Sequence, residues 1–152
     1  MRAPILPTPH ASLIPHKSVI NPSTGKLITK ISEGTAEDVD AAVKAAQHAF
    51  EHSYGLTMPG AKRGELLARL AQLVEDNIDA IASVEALDNG KTFFWAKSDV
   101  QSVISCFRYY AGWADKIQGK TIETTEAQLV YTRHEPIGVV GQIIPWNFPG
   151  QC

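Results

Sequence analysis

Cysteine is scarce in this chain: two in 152 residues, Cys106 and Cys152. That number cannot build the multi-bridge framework on which small secreted domains depend. An excess of one charge is also absent. Fourteen Lys and Arg stand against sixteen Asp and Glu, for a formal net charge of −2, so no basic footprint for nucleic acid is expected. No apolar run approaches the roughly 18–20 residues that span a bilayer, and no membrane partner is expected either. Metal-ligand patterning is thin. His48 and His52 stand four apart but bring no carboxylate pattern with them, and no metal site is expected.

Proline is plentiful, and unevenly placed. Pro4, Pro7, Pro9 and Pro15 interrupt the first fifteen residues, breaking both the apolar core of a signal peptide and the amphipathic helix of a mitochondrial presequence. We expect residues 1–17 to form an extended arm on a cytoplasmic protein. Arg2 and Lys17, with no acid before Glu33, leave a mitochondrial presequence as the lesser alternative.

The remainder reads as helices with a hairpin in front. "VINPSTGKLITKI" sets an Asn-Pro-Ser-Thr-Gly turn between two β-prone runs, with Leu27, Thr29 and Ile31 alternating with polar neighbours. Thr35 is placed to cap a helix whose first turn carries Glu37 and Asp38. Val39, Ala42, Val43, Ala46, Ala49 and Phe50 then recur at helical spacing. A second helix follows on Leu66, Leu67, Leu70, Leu73 and Val74. Glu75-Asp76-Asn77 interrupts it, and Ile78, Ile81, Val84 and Leu87 carry a third as far as the Asn89-Gly90 stop. A long helix is expected from about Thr92 to Gly119, with Val100, Val103, Ile104, Phe107, Ala111 and Ala114 along one side. Cys106 falls inside it, where a free thiol serves as a small hydrophobe.

After Gly119 the period changes. "AQLVYTRHE" alternates, so residues 128–135 read as a strand able to add to another sheet. "IGVVGQII", nearly all apolar and β-branched, reads as a strand buried on both faces of a parallel sheet. The fold class is α/β, with too little sheet to cover the apolar helix faces. Taken without any relatives, the same residues also suit a complete small helical domain with a hairpin.

From "VINPSTGKLI" onward the chain resembles the N-terminal part of an NAD(P)-dependent aldehyde dehydrogenase. The resemblance runs through "EGTAEDVDAAVKAAQHAF", "LDNGK", "RYYAGWADKIQGKTI" and, most specifically, "YTRHEPIGVVGQIIPWNFP", covering about Val19 to Pro149. It implies that residues 18–119 are the hairpin and helices of the cofactor-binding domain. Residues 120–136 would be a β segment of the oligomerisation element, and 137–152 would open the nucleotide-binding sheet, leaving that sheet incomplete. The family lacks the G-x-G-x-x-G fingerprint, so its absence here carries no weight.

The resemblance also assigns residues. Ile144, Pro145, Trp146 and Asn147 match the stretch lining the NAD or NADP cleft. Asn147 matches the asparagine whose side-chain amide holds the oxyanion, and Phe148 an aromatic at the wall of the aldehyde tunnel. An amide donor suits that chemistry, because thiolate attack on an aldehyde creates an alkoxide. By residue type alone, Asn147 is more often a turn residue capping its own backbone, and Trp146 and Phe148 more often core or interface aromatics.

Past Pro149 the resemblance stops at Gly150-Gln151-Cys152. The family's nucleophilic cysteine and general-base glutamate lie further along, and Cys152 has no base or helix N-terminus to activate it. The expectation is a truncated form, inactive alone toward an aldehyde substrate. The alternative is a non-catalytic fragment that associates with full-length aldehyde dehydrogenase subunits.

Overall fold

The computed structural model describes residues 16–55 and 57–150. Strand β1 (His16–Ile20) pairs antiparallel with β2 (Leu27–Ser32). Asn21 makes the turn between them. Its Oδ1 accepts from the backbone N–H of Ser23 at 2.8 Å and of Thr24 at 3.1 Å, and Gly25 takes a positive φ of 68°. An asparagine that bonds its own following backbone, then a glycine in the left-handed region, is the chemistry this turn requires. His16 pairs with Ser32 and Lys17 with Ile31, so the end of the expected arm belongs to the hairpin. The preceding residues of the arm lie outside the described ones.

Helix α1 (Ala36–Ala49) begins at Thr35 with a reciprocal cap. Thr35 Oγ1 accepts from Asp38 N at 3.3 Å, and Asp38 Oδ2 accepts from Thr35 N at 2.9 Å. A π-helical turn, Phe50–Tyr54, follows. Helices α2 (Gly60–Asp76) and α3 (Ile78–Asn89) meet at Asn77, the interruption the sequence signalled. Helix α4 (Phe93–Trp113) is capped by Thr92, whose Oγ1 accepts from Trp95 N at 3.4 Å.

Helices α2, α3 and α4 hold the core. Ala71, Ala82, Ala96, Val100 and Ile104 are essentially inaccessible, with Val74, Ile78, Ala86 and Phe107 packed around them. Three alanines at the centre allow close helix approach. The α2–α4 contact is closer still at Gly64, where a Cβ would sit 2.8 Å from the Ala111 carbonyl oxygen. Gly90 ends α3 with φ 82°, and a Cβ there would lie 2.7 Å from Cγ of Pro22. One glycine thus satisfies the left-handed cap and admits the hairpin turn.

Four sequence expectations are corrected. Helix α4 stops at Trp113, short of Gly119, because the chain turns out to pair: Thr132 N donates to Lys120 O and Lys120 N to Thr132 Oγ1, both at 2.8 Å. Cys106 is exposed rather than packed. It stands two residues past buried Ile104, about 200° around the helix and so on the opposite face. Residues 137–144 form no strand. A strand needs a neighbour for its ladder, and no ladder among the described residues includes them. The alternating 128–135 segment is reduced to β4 (Val130–Tyr131), paired antiparallel with β3 (Thr121–Ile122). No helix of the described residues is long and apolar enough to cross a membrane.

Candidate functional site

The stretch singled out by the sequence, Ile144 to Phe148, lies on the surface. Ile144 is 41% exposed, Trp146 88% and Phe148 39%, and Pro145 and Asn147 are exposed as well. Pro145 begins a tight turn that Phe148 N closes onto Pro145 O at 3.4 Å. The structure therefore brings these five residues together in one reversal, with the Trp146 ring presented to solvent. Neither aromatic is a core residue.

Side chains from the end of α3 and the loop after it fasten this turn. Asn89 Nδ2 donates to the carbonyls of Trp146 and Asn147, at 3.0 Å and 3.2 Å. Lys91 Nζ donates to the same Asn147 carbonyl at 3.1 Å. The ammonium also donates to Glu85 Oε1 at 2.8 Å and to Asp99 Oδ2 at 2.6 Å. It stands 4.7 Å from the centre of the Phe148 ring, within cation–π range. All three ammonium protons therefore have an acceptor, each on a different part of the chain: α3, α4 and the turn.

Burial makes this cluster unlike the other ion pairs. The side chains of Lys91, Glu85 and Asp99 are 14%, 4% and 13% exposed, whereas those of Arg108 and Glu75 are 49% and 38% exposed. Covered charges persist when they are paired and hydrogen-bonded. Burial alone would lower the Lys91 pKa. Hydrogen bonds and charge from Asp99 and Glu85 outweigh it and hold the ammonium above its ordinary value. The lysine is thus a fixed cation at neutral pH.

Sequence reasoning missed Asn89, Lys91, Glu85 and Asp99 as a group, having used Asn89-Gly90 as a helix stop and "LDNGK" as part of the family resemblance. A signal was present: Glu85 sits among Val84, Ala86 and Leu87, and an acid inside an apolar stretch asks for a buried partner. His48 and His52 stack with ring centres 4.1 Å apart and are exposed. Among the described residues, no group of three or more His, Cys, Asp or Glu could hold a metal ion. Cys152 lies outside the described residues.

Beside the turn runs an apolar groove of about 940 Å³, lined by Ile28, Ile31, Leu73, Ile81, Val84 and Leu87, with Pro149 and Gly150 at its edge. Val84 is 67% and Leu87 46% exposed, so Ile81, Val84 and Leu87 of the α3 stripe read from the sequence face this groove. The buried face of α3 carries Ala82 and Glu85.

Comparison with known proteins identifies the family. Residues 10–152 match the model of the aldehyde dehydrogenase family, and the chain belongs to that family. It is 64% identical over 132 residues to an aldehyde dehydrogenase of Agaricus bisporus, covering 86% of this chain and 26% of that protein. It is 54% identical to the mitochondrial aldehyde dehydrogenase of Rattus norvegicus, over 86% of this chain and 25% of that one. The NAD+ complex of aldehyde dehydrogenase from Bacillus cereus superposes with a TM-score of 0.86 at 47% identity, covering 90% of this chain and 28% of that one. A betaine aldehyde dehydrogenase of Staphylococcus aureus, in complex with NAD+, gives 0.83 at 35% identity, over 88% and 27% of the two chains. The chain spans about a quarter of the length of the relatives it matches.

Proposed function

We propose that this chain carries one wall of an aldehyde-oxidising site, with NAD or NADP as hydride acceptor and a carboxylic acid as product. The observation that supports this most is the fastened turn: two carbonyls of residues 146 and 147 held by Asn89 and Lys91, with Trp146 and Asn147 left facing outward. In this reading the Asn147 amide donates to the alkoxide formed when a thiolate adds to the aldehyde carbon, and Phe148 borders the aldehyde. A preorganised donor at such a position contributes about 2.7–4 kcal/mol to the barrier difference. Ile144, Pro145 and Trp146 form an exposed, largely apolar rim suited to part of a dinucleotide. A dinucleotide bound there would supply the nicotinamide ring as hydride acceptor. The relatives' NAD+ complexes favour NAD, and a cytoplasmic location remains part of the proposal.

These residues do not make a complete reaction. No thiolate held by a base is found among the described residues, and the covalent step needs one. The 152-residue chain alone is therefore expected to give no aldehyde-dependent rise in reduced-nicotinamide absorbance with NAD+ or NADP+. A rate that disappears in Cys152→Ala would overturn this, because the nucleophile would then lie in these residues.

A second reading has its own support. Strand β4 pairs over only two residues, while Leu129 and Tyr131 beside and within it are 78% and 66% exposed. Such an edge accepts another strand, which suits association with full-length aldehyde dehydrogenase subunits. Co-expression with the full-length relative followed by affinity purification tests it, and failure to recover a complex removes it.

A further inference from the structure

We propose that Lys91, seated between Glu85 and Asp99 and assisted by Asn89, is a positioning residue that aims the Asn147 side chain. The proposal rests on the aldehyde-oxidising reading for its purpose, but its geometry stands in this chain alone. The argument begins with peptide planarity. Fixing the carbonyl of Trp146 fixes the N–H of Asn147 in the opposite direction, and fixing the carbonyl of Asn147 fixes the plane that follows it. Asn89 Nδ2 holds the first carbonyl at 3.0 Å, and Asn89 Nδ2 and Lys91 Nζ hold the second at 3.2 Å and 3.1 Å. With the planes on both sides of its Cα held, Asn147 has little freedom left in φ and ψ, and its Cα–Cβ direction follows.

Exposure makes an external device necessary. Asn147 is exposed and Trp146 is 88% exposed, so burial does not orient this turn. The device is itself rigid. The ammonium has no spare proton, since Glu85, Asp99 and the turn take one each. Both carboxylates stand on helices of the core, α3 and α4, and the order of that core is thereby carried to an exposed loop. The turn is also brought close to the cluster on its far side, where a Cβ on Gly150 would lie 3.1 Å from Glu85 Oε2. A surface lysine tethered to one acid would give the turn no such reference frame.

The test uses the whole chain labelled with ¹⁵N at asparagine. Its four asparagines, Asn21, Asn77, Asn89 and Asn147, report on the hairpin turn, the α2–α3 junction, the clasp and the candidate site. Lys91→Met is expected to shift and average the side-chain NH₂ pair of Asn147. Backbone amide exchange at Asn147 should accelerate on the order of tenfold, while Asn21 and Asn77 keep their positions. Lys97→Met, which removes the exposed pair with Asp79, should leave all four unchanged. An unmoved Asn147 in folded Lys91→Met overturns the proposal. If Lys91→Met moves all four together, Asn89→Ala decides, since it removes the carbonyl donor without stranding a charge. Loosening confined to Asn147 in that variant supports the clasp, and no change there, or a change spread over Asn21 and Asn77 too, overturns it. No aldehyde or nucleotide enters the experiment, so its failure leaves the aldehyde-oxidising reading standing, and the converse also holds.

Discussion

Helices α2 to α4 and the segment after Gly119 are both rich in apolar side chains, and they are treated in opposite ways. In the helices, Val100 and Ile104 are 1% and 0% exposed. In the segment, Ile137 is 91% and Ile143 98% exposed. Hydrophobicity is common to the two regions, so it does not decide which is buried. Backbone chemistry does. A helix satisfies its own hydrogen bonds and needs only another helix to cover one face, while a strand needs a neighbour before its side chains can face anything. Apolar β-branched sequence becomes a strand only where something else supplies the ladder.

The largest expected effect is on amide exchange. If even about 3 kcal/mol separates the closed and open helical core, its amides are protected on the order of a hundredfold. Residues 137–141, outside any ladder of the described residues, should exchange near the rate of an unstructured peptide. Mass-resolved exchange of the whole chain measures both regions together, and equal protection would break the contrast.

A pair of substitutions sharpens it. Ile104→Ala empties a fully covered site and should cost about 2–5 kcal/mol in urea unfolding. Val140→Ala, at a residue 69% exposed, should stay within about 0.5 kcal/mol. A comparable loss from both would mean that the segment is packed in solution.

The smallest effect belongs to α1, which has no buried residue and depends on its cap. Thr35→Ala should cost about 1 kcal/mol, felt mostly in α1. The Glu37 carboxyl is held below its ordinary pKa, first by its own backbone N–H and then by the Thr35 hydroxyl. A depressed carboxyl contributes stability above its unfolded value of ~4.3 and loses it as pH falls through the lower folded value. Helicity followed by circular dichroism should therefore decline on acidification below about pH 4.3, and less steeply in Thr35→Ala. An identical acid limb in both proteins would count against the cap.

How far the sequence could be read follows the same division. The hairpin turn, the Thr35 cap, the break at Asn77 and the stop at Gly90 were legible because each is decided by neighbours within a few residues. The family was legible too, through the "RHEPIGVVGQIIPWNFP" stretch. Which face of α3 would be buried was not: Ile81, Val84 and Leu87 promised the core, and Ala82 and Glu85 occupy it. Small residues win there because α3 packs closely and Glu85 has an ammonium to meet. The absence of a strand at 137–144 and the clasp at Lys91 were illegible for one reason. Each depends on what stands beside it in space, and sequence spacing does not record that.

The clasp has a consequence for the order in which the molecule assembles. Lys91 and Asp99 are 8 residues apart, while Asn89 and Trp146 are separated by 57. Closing the longer loop costs about 1.7 kcal/mol more chain entropy than closing the shorter one. The α3–α4 corner with its ion pair should therefore form early, and the capture of residues 146 and 147 late. On unfolding the sequence reverses. The turn that carries Asn147 should dock after that corner and detach before it, and its detachment needs no melting of the helices beneath it.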